Sequence, residues 1–403
     1  MKNTSFVRFW CSRVLSMLGL HMQNVAIGWQ LYSLTGRPLD LGLVGLAQFV
    51  PTVVLTLVGG HVADRHNRRV VVVLCQMVQA CASTTLALGS ASGWLDRNAV
   101  LAMVMLIGAA QAFENPSRAA LVSRLVPLAQ IPRAIASLTS AGQTARIVGP
   151  ALGGLLYGLG PATVYGTVAC LYLVGASLMA TIRIAEPVAR REEITPASLF
   201  SGVAFIWSRR LLRGLISLDL FAVLLGGATA LLPIYARDIL GTGPWGLGLL
   251  RGAPAVGALA SSLVLARRPV DQSGGPIFFG AVLMFGVATV AFGVSTSLPL
   301  SLTALAVLGA SDLLSVVIRH SLVQMRTPDG MRGRVSAVHS VSTNTSNQLG
   351  EFESGVLATL LGPVAAVVLG GVGTVVIAAV WAYRFPELRR FRLSDPPLAK
   401  PRV

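Results

Sequence analysis

The chain has 403 residues, of which 54% are hydrophobic and 12% charged, and its formal net charge is +16. A soluble globular domain carries about 25% charged residues, so a water-soluble fold is excluded. A nucleic-acid binder is excluded with it, because such a protein needs a polar scaffold to display its basic face.

About 20 apolar residues cross the hydrocarbon core of a bilayer, and runs of that kind recur roughly twelve times along the chain. The expected fold is an all-α polytopic membrane protein. The opening stretch, MKNTSFVRFWCSRVLSMLGL, places basic residues before apolar ones as a secretory signal does. No small-residue cleavage site follows, so it is read as a retained first span. Along that span Ser12, Ser16, Gly19, Gln23, Ala26 and Gln30 recur at spacings of three and four. Such a face suits either a water-filled cavity, with Gln23 and Asn24 as substrate contacts, or close packing on another helix. Between the second and third spans stands GGHVADRHNRRVVV, Gly59 to Val72, a dense cluster of charge in an apolar chain.

In the fourth span Glu114 and Arg118 are spaced i, i+4, which predicts a local salt bridge. Arg146 lies ~20 Å along the fifth span if that helix starts near Arg133. There it either receives an anionic substrate or pairs with an acid such as Asp219 of the seventh span. The longest polar interruption, Arg183 to Ser198, divides the chain. It separates a six-span half, 1–184, from a second half, 201–386, with a linker at 185–200 and a tail at 387–403. The segment LFSGVAFIWSRR that follows reads as an interfacial helix.

Ionisable groups inside a span cost at least ~2.5 kcal/mol each, so each is a functional candidate. Arg251 in the eighth span stands at a depth similar to Glu351 and Glu353 in the eleventh, and either glutamate is a possible partner. Arg251 with Glu353 is the expected buried ion pair. Asn344, Asn347, Gln348 and Glu351 stand at i, i+3, i+4 and i+7 and share one face, whereas Glu353 lies about 200° from Glu351. Glu351 is therefore the first candidate to carry a proton across, the alternative being a structural carboxylate. Asp312 in the tenth span is the second candidate, and Gln111 is its counterpart in the first half. Gln23, Asn24, Gln111, Arg146, Asn344, Asn347 and Gln348 are the expected substrate-cavity residues.

Of the 32 Lys and Arg, 27 fall near span ends on one side. Three, Arg37, Arg97 and Arg237, fall on the other, and Arg146 and Arg251 lie within spans. That bias places both termini in the cytoplasm. Cys11, Cys75, Cys81 and Cys170 sit in or beside apolar runs without metal-type spacing and read as small hydrophobes. Equivalent residues recur at a fixed offset of 201: Arg118 and Arg319, Pro127 and Pro328, Arg133 and Arg334, Gly149 and Gly350. A half-length repeat fits a transporter whose halves move about a site near the bilayer midplane.

The loop between the second and third spans resembles the G-x-x-x-D-R-x-G-R-R motif of the major facilitator superfamily, with Gly60, Asp64, Arg65, Arg68 and Arg69 in place. Asn67 replaces the second glycine and is expected at positive φ, where Asn is tolerated next best. The fifth span has ARIVGPALGG, similar to the superfamily's exporter motif through Gly149, Pro150, Gly153 and Gly154. FENPSRAAL and SNQLGEFESG add a resemblance to the enterobactin-exporter-like, or transmembrane secretion effector, branch. The resemblance implies a major facilitator fold of two six-helix halves related by pseudo-symmetry. It also implies a cytoplasmic gate built on Asp64 and the motif arginines, near Glu114 and Arg118, and a bend in the fifth span at its glycines and proline.

The expected function is secondary transport, a proton-coupled exporter of a small amphipathic siderophore or drug-like molecule in the inner membrane. A uniporter or importer is the alternative. The expected partners are the lipid bilayer, a small-molecule substrate and protons, with no nucleic acid, no cofactor and no metal, and the protein is expected to act as a monomer. An enzyme is disfavoured because no H-E-x-x-H or G-x-S-x-G frame occurs.

Overall fold

The computed structural model describes residues 4–182, 203–267 and 274–391. The expected linker 185–200 and the tail beyond 391 lie outside the described residues. Of the expected interfacial helix, residues 203–208 are helical and the rest lies outside as well.

Among the described residues twelve helices are sixteen residues or longer. The first half holds α1 (Thr4–Thr35), α2 (Pro38–Arg65), α3 (Arg68–Ser92), α4 (Arg97–Leu125), α5 (Ile131–Tyr157) and α6 (Pro161–Ala180). The second holds α7 (Arg210–Leu225), α8 (Gly243–Arg267), α9 (Gly274–Gly293), α10 (Leu298–Arg326), α11 (Asp329–Leu361) and α12 (Pro363–Arg384). After α7 the chain continues through a 3-10 turn, Gly227–Leu231, and a π-helical turn, Tyr235–Ile239. α4 and α10 begin and end at residues 201 apart, the repeat offset read in the sequence.

Eight of these helices, and α7 together with its continuation to Ile239, are long and apolar enough to cross a membrane. The three that fall short are α1, α5 and α11, the helices that carry the polar stripes. A polar helix is tolerated in hydrocarbon only where protein or enclosed water meets its polar groups.

The chain forms two compact units, Met1–Glu193 with Leu232–Gly252, and Ile194–Leu231 with Ala253–Val403. Leu232–Gly252, which the sequence places in the second half, thus belongs to the first unit. Within the first unit α1 packs on α5 and α6, α3 on α4 and α6, and α2 on α4. Within the second, α7 packs on α11 and α12, and α9 on α10 and α12. The two sets are the same pattern shifted by six helices, which is the pseudo-symmetry the repeat implies.

Close helix approach depends on residues without a side chain, because dispersion between backbones is a main attraction available in lipid. Gly108 on α4 faces the Gln48 carbonyl of α2, where a Cβ would stand 2.6 Å from the oxygen. Gly309, its counterpart 201 residues on, faces the Pro254 carbonyl of α8, and a Cβ there would collide with that oxygen.

The turn between α2 and α3 corrects one expectation. No residue other than glycine has positive φ among the described residues, and Asn67 lies at φ −61°, ψ 107°. Its side-chain oxygen accepts from the backbone N–H of Arg69 at 3.0 Å and of Val70 at 3.3 Å. Asn67 is the N-cap of α3, satisfying helix donors that would otherwise lack partners.

Gly309→Val should therefore force α8 and α10 apart and cost about 1–3 kcal/mol, as overpacking does. Thermal unfolding in detergent checks this, and an unchanged midpoint would show that the contact is not tight.

Candidate functional site

Each unit holds one buried arginine on its fourth long helix, and each arginine has a carboxylate partner. In the first unit Arg118 and Glu114 of α4 are joined in an ion pair, at 7% and 3% exposure. A lone buried charge is costly, and here further donors complete the site. Gln79 Nε2 on α3 donates to one Glu114 oxygen at 2.8 Å and Gln76 Nε2 to the other at 3.3 Å. Gln76 also donates to Ser16 Oγ at 2.9 Å and Ser12 Oγ at 3.2 Å. One carboxylate thereby ties α1, α3 and α4 together.

In the second unit Arg319 of α10 pairs with Asp219 of α7, and both are buried. Thr343 Oγ1 on α11 donates to the other Asp219 oxygen at 3.3 Å. Arg319 is the repeat counterpart of Arg118, and both stand 21 residues into their helices. Their acids differ in origin, since Glu114 is a same-helix neighbour whereas Asp219 comes from α7. Asp219 is thus committed to Arg319 and is not the partner of Arg146 that the sequence allowed. The Asp219–Arg319 pair itself is not visible in local spacing; the 201-residue recurrence of Arg118 at Arg319 was its available signal.

Asp312 is exposed and lines, with Asp219, Ser311 and Ser315, a cavity of about 20 Å³, enough for a single water. The two acids therefore meet one small space, which Ala222, Val223, Val282 and Phe285 also line. The His320 and His339 rings stand 5.0 Å apart on α10 and α11. On α11, Asn344 and Asn347 are exposed, while Gln348, Glu351 and Glu353 are half-buried. Asn347 Nδ2 donates to the Thr343 carbonyl at 3.0 Å.

The polar stripe of α1 behaves differently from a cavity wall. Ser12, Ser16, Gln23 and Gln30 are all buried. Ser83 Oγ on α3 donates to Gln23 Oε1 at 3.3 Å, and Gln30 Nε2 donates to Ser90 Oγ at 2.8 Å. This face is buried and hydrogen-bonded to α3, so Gln23 does not line a water-filled cavity here; neighbouring Asn24 is half-buried. Gln111 accepts from Gln48 Nε2 at 3.3 Å across α2 and α4. Arg146, by contrast, is exposed in mid-helix.

Arg69 of the loop motif is bonded within its own unit. The Asp64 side chain lies outside the described residues, Gly60 has open space beside it, and Arg65 is exposed. Arg68 is buried, and Arg69 Nη1 donates to the Ile182 carbonyl at 2.7 Å. Arg8 Nη1 donates to the Thr181 carbonyl at 3.0 Å. These guanidinium groups satisfy carbonyls at the C-terminal end of α6, where cations are favoured.

The glycines of α5 seat that helix against its neighbours, and α5 runs unbroken through Pro150. A Cβ on Gly149 would stand 3.2 Å from the Leu18 carbonyl oxygen, and one on Gly153 would stand 2.8 Å from that of Met22, both on α1. Gly154 meets the first turns of α8, with Gly248 Cα 3.0 Å away. In the last turn of α1, Tyr32 donates its hydroxyl to Asp238, and Arg237 Nη1 donates to the Tyr32 carbonyl at 3.3 Å. Arg251 belongs to the first unit and Glu353 to the second.

Comparison with known proteins is consistent in kind. The profile of a family described as transmembrane secretion effector matches residues 1–397. The enterobactin exporter EntS of Shigella flexneri is 25% identical over 402 residues, covering 97% of this chain and 94% of that protein. Among solved structures, a substituted form of the nucleoside transporter NupG aligns with a TM-score of 0.76 at 13% identity, over 94% of this chain and all of that one. A bacterial homolog of the human lysosomal transporter Spinster, in an inward-facing and occupied conformation, aligns at 0.75 and 14% identity over 98% of both chains. At such identities these structures share the fold alone.

Asp219→Asn should leave Arg319 buried without its counter-charge, a loss of about 3–5 kcal/mol. The double change Asp219→Asn with Arg319→Gln should cost less than the sum of the two single changes. Thermal unfolding of the purified variants reads both effects, and strict additivity would mean that the two side chains do not interact.

Proposed function

The chain belongs to the transmembrane secretion effector family of major facilitator transporters, and from that premise we propose that it exports a small amphipathic molecule in exchange for protons. The observation that carries export is similarity across 97% of the chain to an enterobactin exporter. A siderophore or comparably sized metabolite is the substrate class that similarity favours. The protein sits in the inner membrane with both termini in the cytoplasm, as the Lys and Arg bias favours. Its two halves rock about a site near the bilayer midplane.

Proton coupling is assigned to Asp312 and Glu351, with Asp312 put first in this reading. Asp312 shares its cavity with Asp219, whose charge is already offset by Arg319. Two carboxylates lining one small cavity disfavour each other's charged form, so that a proton on Asp312 relieves their repulsion when the site is closed to water. A coupling acid must also be reached by water when the site opens, and Asp312 is exposed whereas Glu351 is half-buried. Glu351 shares its helix face with Asn344, Asn347 and Gln348, which support it as a cavity residue. The motif residues Asp64, Arg65, Arg68 and Arg69, with Glu114 and Arg118, form the cytoplasmic gate in this reading.

In everted vesicles carrying the protein, an imposed proton gradient should drive accumulation of a catechol siderophore. Asp312→Asn should abolish the gradient-driven part, at least tenfold, while substrate counterflow without a gradient persists. Accumulation indifferent to the gradient in the unaltered protein would remove proton exchange from the mechanism. Full gradient-driven transport by both Asp312→Asn and Glu351→Gln would remove these two acids from it.

A further inference from the structure

Resting on the exporter reading, we infer that His21, Arg146 and Arg251 form a recognition site for an anionic oxygen group, a carboxylate or catecholate, of the transported molecule. The three side chains come from α1, α5 and α8, and all belong to the first unit. His21 packs against α5 at Gly149, where a Cβ on the glycine would stand 2.7 Å from the His21 Cβ. α5 meets α8 one residue beyond each arginine, with the Ile147 carbonyl 3.2 Å from the position a Cβ on Gly252 would take. Arg251 lies along α1, one guanidinium nitrogen 3.2 Å from the position a Cβ on Gly28 would take.

Charge bookkeeping within the unit sets Arg146 apart. Of the acids whose side chains are described, Asp40 is committed to Arg97, Asp96 to the N-terminus of α4, Glu114 to Arg118, and Asp238 to Tyr32 and Arg237. Arg146 is exposed and, among the described residues, has neither an ion pair nor a hydrogen bond. It stands 15 residues into a 27-residue helix, ~22 Å from that helix's first residue. An arginine held at that depth costs several kcal/mol unless an anion or water meets it. A guanidinium also matches the paired oxygens of a carboxylate or catecholate, which a point charge does not. The proposed site therefore has a fixed positive charge at the exposed Arg146, with Arg251 and the His21 imidazole on the neighbouring helices.

Equilibrium binding to the purified, detergent-solubilised chain tests this without any transport step, so failure of export and failure of the site give different results. The probes are dihydroxybenzoylserine, an anion through its carboxylate, and its uncharged methyl ester. The unaltered protein should bind the acid more tightly than the ester. Arg146→Gln should weaken the acid roughly ten- to a hundredfold, the range of a lost charge-assisted hydrogen bond, and leave the ester within about twofold. Arg146→Lys should fall between, and His21→Gln should lower affinity for the acid by a smaller factor. Unaltered protein that binds acid and ester equally, or neither, overturns the proposal with no variant needed. So does Arg146→Gln weakening both probes to the same extent while its thermal midpoint is unchanged.

Discussion

Hydrocarbon offers no water to a polar group, so each buried charge in this chain must be met by protein. Two arginines, Arg118 and Arg319, sit at equivalent positions of the two halves and are met by Glu114 and Asp219. Hydrogen bonds from Gln76, Gln79 and Thr343 complete the two carboxylates. Such pairs contribute little net stability compared with an apolar core, but losing one member is expensive. Their consequence is geometric: α1, α3 and α4 in one unit, and α7, α10 and α11 in the other, are each tied through a single carboxylate. A transporter whose halves move as bodies needs that internal rigidity.

Much of this was legible in the sequence because the bilayer restricts what can be built. Span length, the Lys and Arg bias and the 201-residue recurrence lead to twelve long helices in two related sets, and α4 and α10 even begin and end in register. What was not legible has a common cause. Periodicity says which residues share a face but not what the face meets, so the α1 stripe from Ser12 to Gln30 reads alike for water and for α3. Spacing along one helix cannot say that Asp219 crosses to Arg319 rather than to Arg146. Asn67 is favoured both at positive φ and as an N-cap, and only the conformation of the turn decides between them. The membership of Leu232–Gly252 in the first unit depends on tertiary contacts that no chain-order argument contains.

Polar residues divide into two groups that map onto two tasks. Those buried and paired, Gln76, Gln79, Glu114, Asp219 and Arg319, hold helices together. Those exposed within long helices, Arg146, Asp312, Asn344 and Asn347, have no place against lipid and are the groups proposed to meet substrate and protons. Of the second group, Arg146, Asn344 and Asn347 come from α5 and α11, two of the three helices least able to cross a membrane alone.

The most direct test of alternating access is thiol labelling at one exposed position. Asn344→Cys, in a chain whose Cys11, Cys75, Cys81 and Cys170 have been replaced, is exposed to a membrane-impermeant maleimide in vesicles of both orientations, with and without a proton gradient. Alternating access predicts labelling from each face, with the balance shifted by the gradient. Labelling confined to the same face under every condition would contradict it.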